Sequence, residues 1–203
     1  MTEILLPFDV ETTGLVHTKQ PLNDPGQPHL VSASMLQVRA DNYFVQQSMS
    51  KVVHPTEWDW DDTEHSEDRA FQVHKLTMDH CSTYGRAEKE VLDEILHLWE
   101  SSNGTLVAHN LKFDQNVIAC AIARYYGAGD LMNRWLAAPG FCTMENSNNL
   151  VEARGKTGRR KKPNLKEAYE FFTGEPLEEH HSANRDTVAC LQIYAGIQGY
   201  ETE

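Results

Sequence analysis

The amino-acid sequence predicts one α/β domain, residues 1–203, built around a mixed β-sheet. Segments with strand composition come first and segments with helical periodicity follow, without an internal repeat or a linker. A chain of 203 residues is long enough for one well-packed α/β domain and too short for two full domains with a linker. The apolar share of 40% and the charged share of 24% are typical of globular proteins.

The predicted strands lie mostly in the first quarter of the chain. Residues 4–6 form an apolar run typical of a buried strand. Two strand-like segments, 29–39 and 43–49, are expected to pair antiparallel, and a short strand is predicted at 105–108. Pro7 disturbs the first strand, because proline cannot donate to a β-ladder. We expect an irregularity or an edge position there, or a neighbour that bonds only the residues before Pro7.

Four helices are predicted later in the chain, from apolar residues that recur at helical spacing. They are the segment 86–100, a helix that follows Asn110 and ends at Gly127 or Gly129, a helix that opens at Asn164 and runs to Phe172, and a last helix that carries Asp186. Asn110 and Asn164 are predicted N-caps, because an asparagine side chain can accept a hydrogen bond from the first turn of a helix.

Four acidic residues occupy positions where a folded core would hold apolar side chains. Asp9 and Glu11 follow the first strand two residues apart, so both side chains point to the same side of it. Asp114 and Asp186 are in phase with the apolar stripes of their helices. A single buried acid can be satisfied by backbone hydrogen bonds, but clustered carboxylates repel unless a cation lies between them. The acidic positions therefore predict a metal site.

These acidic motifs resemble those of the DnaQ-like (DEDDh) 3′→5′ exonucleases, the group that includes proofreading exonucleases, oligoribonuclease and RNase T. The Asp-x-Glu motif of that family is matched by Asp9 and Glu11, its His-Asn-x-x-Phe-Asp motif by His109, Asn110, Phe113 and Asp114, and its His-x-Ala-x-x-Asp motif by His181, Ala183 and Asp186. Weaker similarity covers residues 73–77, where Lys75 replaces a glycine of the family, and Thr143. The motifs occur in the family's order between Ile4 and about Ile197.

The resemblance implies an RNase H-like fold, a five-stranded mixed β-sheet flanked by α-helices, and a two-metal nuclease site. It implies that Asp9 contacts both of two Mg²⁺ or Mn²⁺ ions, that Glu11 and Asp186 bind the ion that activates water, and that Asp114 serves the other. Carboxylate oxygens are the ligands that these hard cations prefer. His181 is implied as the general base; the neighbouring His180 competes for that role but lacks the register of the motif.

The resemblance also implies residues that contact the 3′-terminal nucleotide. Thr12, Thr13, Gly14 and Leu15 leave the first strand at the corresponding place, and His109 and Asn110 precede the second motif. Two readings remain open for Leu15, which is either an apolar wedge against the nucleotide or a core residue. Asn110 is either a substrate contact or a helix cap, and Phe113 is expected in the core.

The charge distribution combines an acidic whole with one dense basic segment. The formal net charge is −12, from 30 acidic and 18 basic residues, which argues against binding nucleic acid by net positive charge. Six basic residues nevertheless fall within 154–162, and four of them, Arg159, Arg160, Lys161 and Lys162, are expected to bind the substrate backbone. The alternative is a solvated flexible loop.

We therefore expect a metal-dependent 3′→5′ exonuclease that acts on single-stranded nucleic acid, with DNA favoured over RNA, and releases nucleoside 5′-monophosphates. An RNA-trimming or oligoribonuclease-type enzyme and a catalytically silent nucleic-acid- or polymerase-binding module are the alternatives. A polymerase partner would be supplied in trans. The sequence has no apolar run of membrane-spanning length and no signal peptide, and its four cysteines show no ligand spacing, so we expect a cytoplasmic protein without a membrane partner.

Overall fold

The computed structural model of the protein describes residues 3–56, 58–63, 65–178 and 182–199. Within these residues one mixed sheet has six strands: β1 Ile4–Thr12, β2 Leu30–Arg39, β3 Val45–His54, β4 Arg86–Ala87, β5 Thr105–Ala108 and β6 Gly140–Cys142. They lie side by side in the order β4-β3-β2-β1-β5-β6. The predicted fold class is confirmed, and the strand beyond the expected five is accounted for by the two-residue β4.

Helices cover both faces of the sheet. The described residues contain α1 Arg69–His74, α2 Met78–Tyr84, α3 Glu88–Ser102, α4 Leu111–Tyr126, α5 Asp130–Leu136, α6 Thr143–Ser147, α7 Leu165–Thr173 and α8 Ala183–Ile197. The four long helices match the predicted ones, and the short α1, α2, α5 and α6 were not predicted. The capping box predicted at Asn164 is present. None of the helices in the described part of the chain has the length and apolarity needed to cross a bilayer.

The centre of the sheet is β1, which pairs antiparallel with β2 along its length and parallel with β5 over a short stretch. The pairing with β5 runs from Leu5 to Pro7 and ends there. An edge position for Pro7 was therefore wrong, and so was a pairing limited to the residues before Pro7, because β5 pairs with Pro7 itself. Beyond Pro7 the strand has β2 as its one sheet neighbour among the described residues, so its last five residues border a space that β5 does not fill.

The two faces of β1 contact different helices. Leu6, Phe8 and Val10 point into the main core, which α3 and α4 close. The odd-numbered side chains point to the opposite face, where Leu5 packs in a cluster that includes Cys190 of α8. Because side chains alternate along a strand, Asp9 and Glu11 lie on the α8 face together with Leu5. The sheet thus directs the acidic pair toward the helix that carries Asp186.

Candidate active site

Three carboxylates meet where β1 ends against the first turn of α8. One oxygen each from Asp9, Glu11 and Asp186 lie within 4.8 Å of one another. Glu11 and Asp186 are 8% and 7% exposed, so neither carboxylate is well solvated. Asp9 and Glu11 share one face of β1, as their spacing predicted. Asp186 points inward, as its position in the helical pattern predicted.

The fourth acid, Asp114, lies in the first turn of α4 and is 3% exposed. Its carboxylate accepts hydrogen bonds from the backbone N–H groups of Val10 and of Asp114 itself. Val10 lies beyond the point where β5 stops pairing with β1. The hydrogen bond from its backbone places Asp114 beside the strand that carries Asp9 and Glu11.

Burial and mutual repulsion make these carboxylates weaker acids than usual. Burial is the main cause of the raised pKa of Asp9, and the charges of Asp114, Glu11 and Asp186 raise this pKa further. Burial and the charge of Asp186 raise the pKa of Glu11 to about 7. The pKa of Asp114 is also raised, mainly by burial and against the effect of its two backbone hydrogen bonds. A cluster of this kind binds protons or cations in preference to standing fully charged.

The donor set fits hard divalent cations. Within the described chain, no lysine or arginine forms an ion pair with Asp9, Glu11 or Asp114. The hydroxyl of Ser34, which lies opposite Asp9 on β2, is buried and has no hydrogen-bond partner among those residues. Carboxylate oxygens beside a spare hydroxyl suit Mg²⁺ or Mn²⁺, whose ligands are usually held by further hydrogen bonds.

A cavity of about 650 Å³ opens beside the cluster. The end of β1 and the loop after it supply one wall, and both predicted threonines, Thr12 and Thr13, as well as Gly14 and Leu15 line it. Leu15 is 76% exposed, so the core alternative for this residue was wrong. Phe113 packs against the main core, as predicted, and also reaches the cavity.

The opposite wall was not predicted from the sequence. It consists of the start of α1, residues 68–70, and Val73, which is 45% exposed. Asp68 caps this helix by accepting hydrogen bonds from the backbone N–H groups of Ala70 and Phe71. The similarity noted at residues 73–77 was a signal for this segment, but the pattern did not reveal that the segment forms a cavity wall.

Two threonines fix the loop that follows β1. Thr12 Oγ1 donates to the carbonyl oxygen of Gly14 at 2.6 Å. Thr13 exchanges hydrogen bonds with His29, because its N–H donates to the His29 carbonyl at 3.1 Å and its Oγ1 accepts from the His29 N–H at 3.0 Å. The side chains of both threonines are thus bound within the protein, and the loop presents Gly14 and Leu15 to the cavity.

Solved structures of exonuclease I have the same fold as this chain. The apo structure is 13% identical, with a TM-score of 0.70, over 99% of this chain and 43% of that one. The E. coli enzyme in complex with a dA16 oligonucleotide is 14% identical, with a TM-score of 0.69, over 98% and 41%. A complex described as ExoI/SSB-Ct is 13% identical, with a TM-score of 0.68, over 98% and 42%.

The chain has the fold of one part of exonuclease I. It spans less than half of the length of those three structures. No protein-family model and no curated protein matches the sequence. The structural match confirms the RNase H-like fold that the motif resemblance implied, and at this identity the likeness extends to the fold alone.

The predicted substrate contact from His109 needs correction, because both of its ring nitrogens are bound within the protein. Nδ1 lies 3.0 Å from Thr143 Oγ1 and Nε2 lies 3.1 Å from the carbonyl oxygen of Pro163. Burial lowers the pKa of His109 to about 4, which keeps the ring neutral. Thr143, the other residue of weaker similarity, is itself fully buried. The histidine therefore ties β5 to the segment that precedes α7.

Asn110 precedes α4 as predicted, but it does not cap the helix with its side chain. Its backbone is left-handed, with φ of 79°, and its side chain makes no capping hydrogen bond. Asparagine tolerates this conformation better than most residues do. The side chain is exposed at the start of the helix of Asp114, and a substrate contact from it stays a prediction.

His181, the predicted general base, and its competitor His180 lie outside the described residues, so the assignment of the base stays a prediction. The basic segment lies between α6 and α7, and Arg154 and Arg160 form a β-bridge within it. The four predicted phosphate contacts lie on the second arm of that hairpin and directly after it; they are Arg159, Arg160, Lys161 and Lys162.

Proposed function

We propose that the protein is a metal-dependent 3′→5′ exonuclease that releases nucleoside 5′-monophosphates from single-stranded 3′ ends. The observation that carries this proposal is the convergence of Asp9, Glu11 and Asp186 within 4.8 Å, with Asp114 bound to the same strand. The cluster opens onto a cavity whose volume is in the range of small-ligand sites, which suits one terminal nucleotide.

The four carboxylates would hold the divalent cations. When bound, two such ions supply a hydroxide at neutral pH and offset negative charge on the scissile phosphate. Glu11 must lose its proton before it can act as a ligand, so metal loading near neutral pH releases protons. His181 is assigned to take the proton of the attacking water, since an imidazole titrates near neutral pH.

The cavity walls would position the terminal nucleotide. Leu15 and Val73 present exposed apolar surface on opposite sides, and Phe113 adds an aromatic face. Apolar side chains of this kind contact the faces of a base without reading its identity. A site with this arrangement favours removal of an end nucleotide over cutting within a strand.

We favour DNA as the substrate, since the structures that share this fold include an enzyme bound to a dA16 oligonucleotide. An RNA-trimming enzyme is the alternative, because no residue described at the site distinguishes the two sugars. We place the activity in the cytoplasm, on the strength of four free cysteines, three of them buried.

The experiment is digestion of 5′-labelled single-stranded DNA and RNA oligomers of one sequence, with Mg²⁺, Mn²⁺ or EDTA. We expect a metal-dependent ladder that shortens from the 3′ end, faster on DNA, and no ladder from Asp186→Asn. Faster digestion of RNA would establish the alternative substrate. Tight binding of oligomers without hydrolysis would indicate the silent module, and internal fragments would exclude an exonuclease.

A further inference from the structure

The basic segment 154–162 is an ordered hairpin with a tight turn. The Gly155 N–H donates to the Arg159 carbonyl at 2.9 Å, and the Gly158 N–H donates to the Gly155 carbonyl at 2.8 Å. Gly158 has a φ of 74°, a conformation that glycine adopts without strain. Lys161 closes the base of the hairpin by donating its N–H to the carbonyl of Ala153. These hydrogen bonds give the segment a defined backbone conformation.

The cations at the base of the hairpin are bound to the protein. Lys161 forms an ion pair with Glu167 in the capping box of α7, and Lys162 forms one with Glu145 of α6. Arg160 donates through Nη2 to the carbonyl oxygen of Asn148 at 2.6 Å. These residues anchor the hairpin between two helices, and the charges of Lys161 and Lys162 are offset by carboxylates.

The two cations nearest the turn make no such bonds to the described part of the protein. Lys156 and Arg159 are exposed, and neither has an ion pair or side-chain hydrogen bond within the described residues. Arg154 donates to the Gly158 carbonyl and so supports the turn. In a protein of net charge −12, the segment thus carries four cations without an ion pair among the described residues, and two of these, Lys156 and Arg159, also make no side-chain hydrogen bond there. We call Lys156 and Arg159 the tip cations.

The base of the hairpin is tied to elements that carry residues of the acidic cluster. The carbonyl of Pro163, directly after the basic segment, is bound by His109, which precedes the helix of Asp114. The helix that follows the hairpin, α7, packs along α8, which carries Asp186. The hairpin base is thus held between the elements that supply two of the four carboxylates.

We propose that the tip cations bind backbone phosphates of the substrate strand, on the 5′ side of the end that is cleaved. This inference rests on the proposed nuclease function and revises the predicted contact set, since Arg160, Lys161 and Lys162 serve as anchors. Phosphate contacts position a strand without reading its sequence. An acidic protein segment would also satisfy two cations, and the experiment separates it from a nucleic acid.

The test measures the salt dependence of binding for a labelled single-stranded DNA 20-mer, in EDTA so that no hydrolysis occurs. Each phosphate contact contributes about 0.7 to the slope of log affinity against log salt. The double variant Lys156→Ser/Arg159→Ser is expected to lower the slope by about 1.4. The matched control Lys161→Ser/Lys162→Ser makes the same change in charge, and we expect it to keep the slope while lowering the melting temperature.

An unchanged slope in the tip variant, or an equal loss in the control, would overturn the inference. The affinity loss should also be larger for a 20-mer than for a trimer, and an equal loss would count against a contact away from the cleaved end. Polyglutamate that competes as well as an oligonucleotide of the same charge would assign an acidic partner instead. Binding with the expected slopes but without hydrolysis in Mg²⁺ would refute the proposed function and leave this inference standing.

Discussion

At the scale of single residues, the side chains that matter most are those whose charge conflicts with their burial. Four acids were predicted from spacing and phase alone, and the structure brings all four together. The backbone conformation of single residues was harder to predict. Lys75, which replaces a family glycine, ends α1 with a left-handed φ of 56°, a backbone state that sequence periodicity does not report.

Glu11 should make the metal-free protein less stable as the pH rises. Its pKa is raised from 4.5 to about 7, so the folded state favours the protonated form. Below about pH 4.5 the residue is protonated in both the folded and the unfolded state, and above that pH its ionisation favours the unfolded state. We expect the melting temperature in EDTA to fall from pH 4.5 to pH 7, and to fall less in Glu11→Gln. A profile identical in the two proteins would show that Glu11 is not the titrating group.

His181 should matter far more than its neighbour His180. Removal of a general base typically lowers turnover by ~10²–10⁴-fold. We expect His181→Ala to lower kcat by that order with a modest change in Mn²⁺ affinity, measured by calorimetry, and His180→Ala to lower it much less. A larger loss from His180→Ala would mean that the register of the third motif is wrong.

At the scale of elements, the long periodic segments were predictable and the contacts between distant segments were not. The strand β1 was predicted from an apolar run typical of a buried strand. The helices α4 and α8 were predicted because their apolar patterns extend over several turns. The anchors of the basic hairpin lie in α6 and α7, so no local pattern could separate Lys161 and Lys162 from the tip cations. The short α1 was missed for a related reason, since six residues hold too few apolar repeats to define a face.

A buried ionic network joins three elements of the fold. Glu88, at the start of α3, accepts hydrogen bonds from the Leu30 N–H, from Arg124 and from Tyr125 of α4. Burial alone would raise the pKa of Glu88, but His29 and Arg124 keep it below its usual value. The carboxylate therefore links the beginning of β2 to two helices on the same face of the sheet.

Glu88→Ala should be strongly destabilising, because it leaves Arg124 without its carboxylate partner. Breaking a buried ion pair from one side typically costs about 3–5 kcal/mol. The exposed pair of Lys89 and Asp93 supplies a control, and Asp93→Ala should cost about 1 kcal/mol or less. Both are measured by urea denaturation. Equal losses in the two variants would show that the Glu88 network does not depend on burial.

At the scale of the whole molecule, strong negative charge and nucleic-acid chemistry are compatible because the charges are separated in space. The acids that matter are gathered at one end of β1, where cations would offset them, and the tip of one hairpin carries two exposed cations without an ion pair among the described residues. Composition alone predicted no such separation; the motifs predicted the acidic half of it, and the basic segment 154–162 predicted the other half. The fold places both features near the elements that carry Asp114 and Asp186.

The central claim is that Asp9 and Asp186 serve a metal-dependent reaction and not the stability of the fold. The most direct test compares wild type, Asp9→Ala, Asp186→Ala and the exposed control Asp130→Ala, measuring mononucleotide release in Mg²⁺ and melting temperature in EDTA on the same preparations. We predict that the two site variants release no mononucleotides yet melt at the same or a higher temperature, because removing one carboxylate relieves repulsion, while the control behaves as wild type. Near-normal turnover by both site variants would contradict the account.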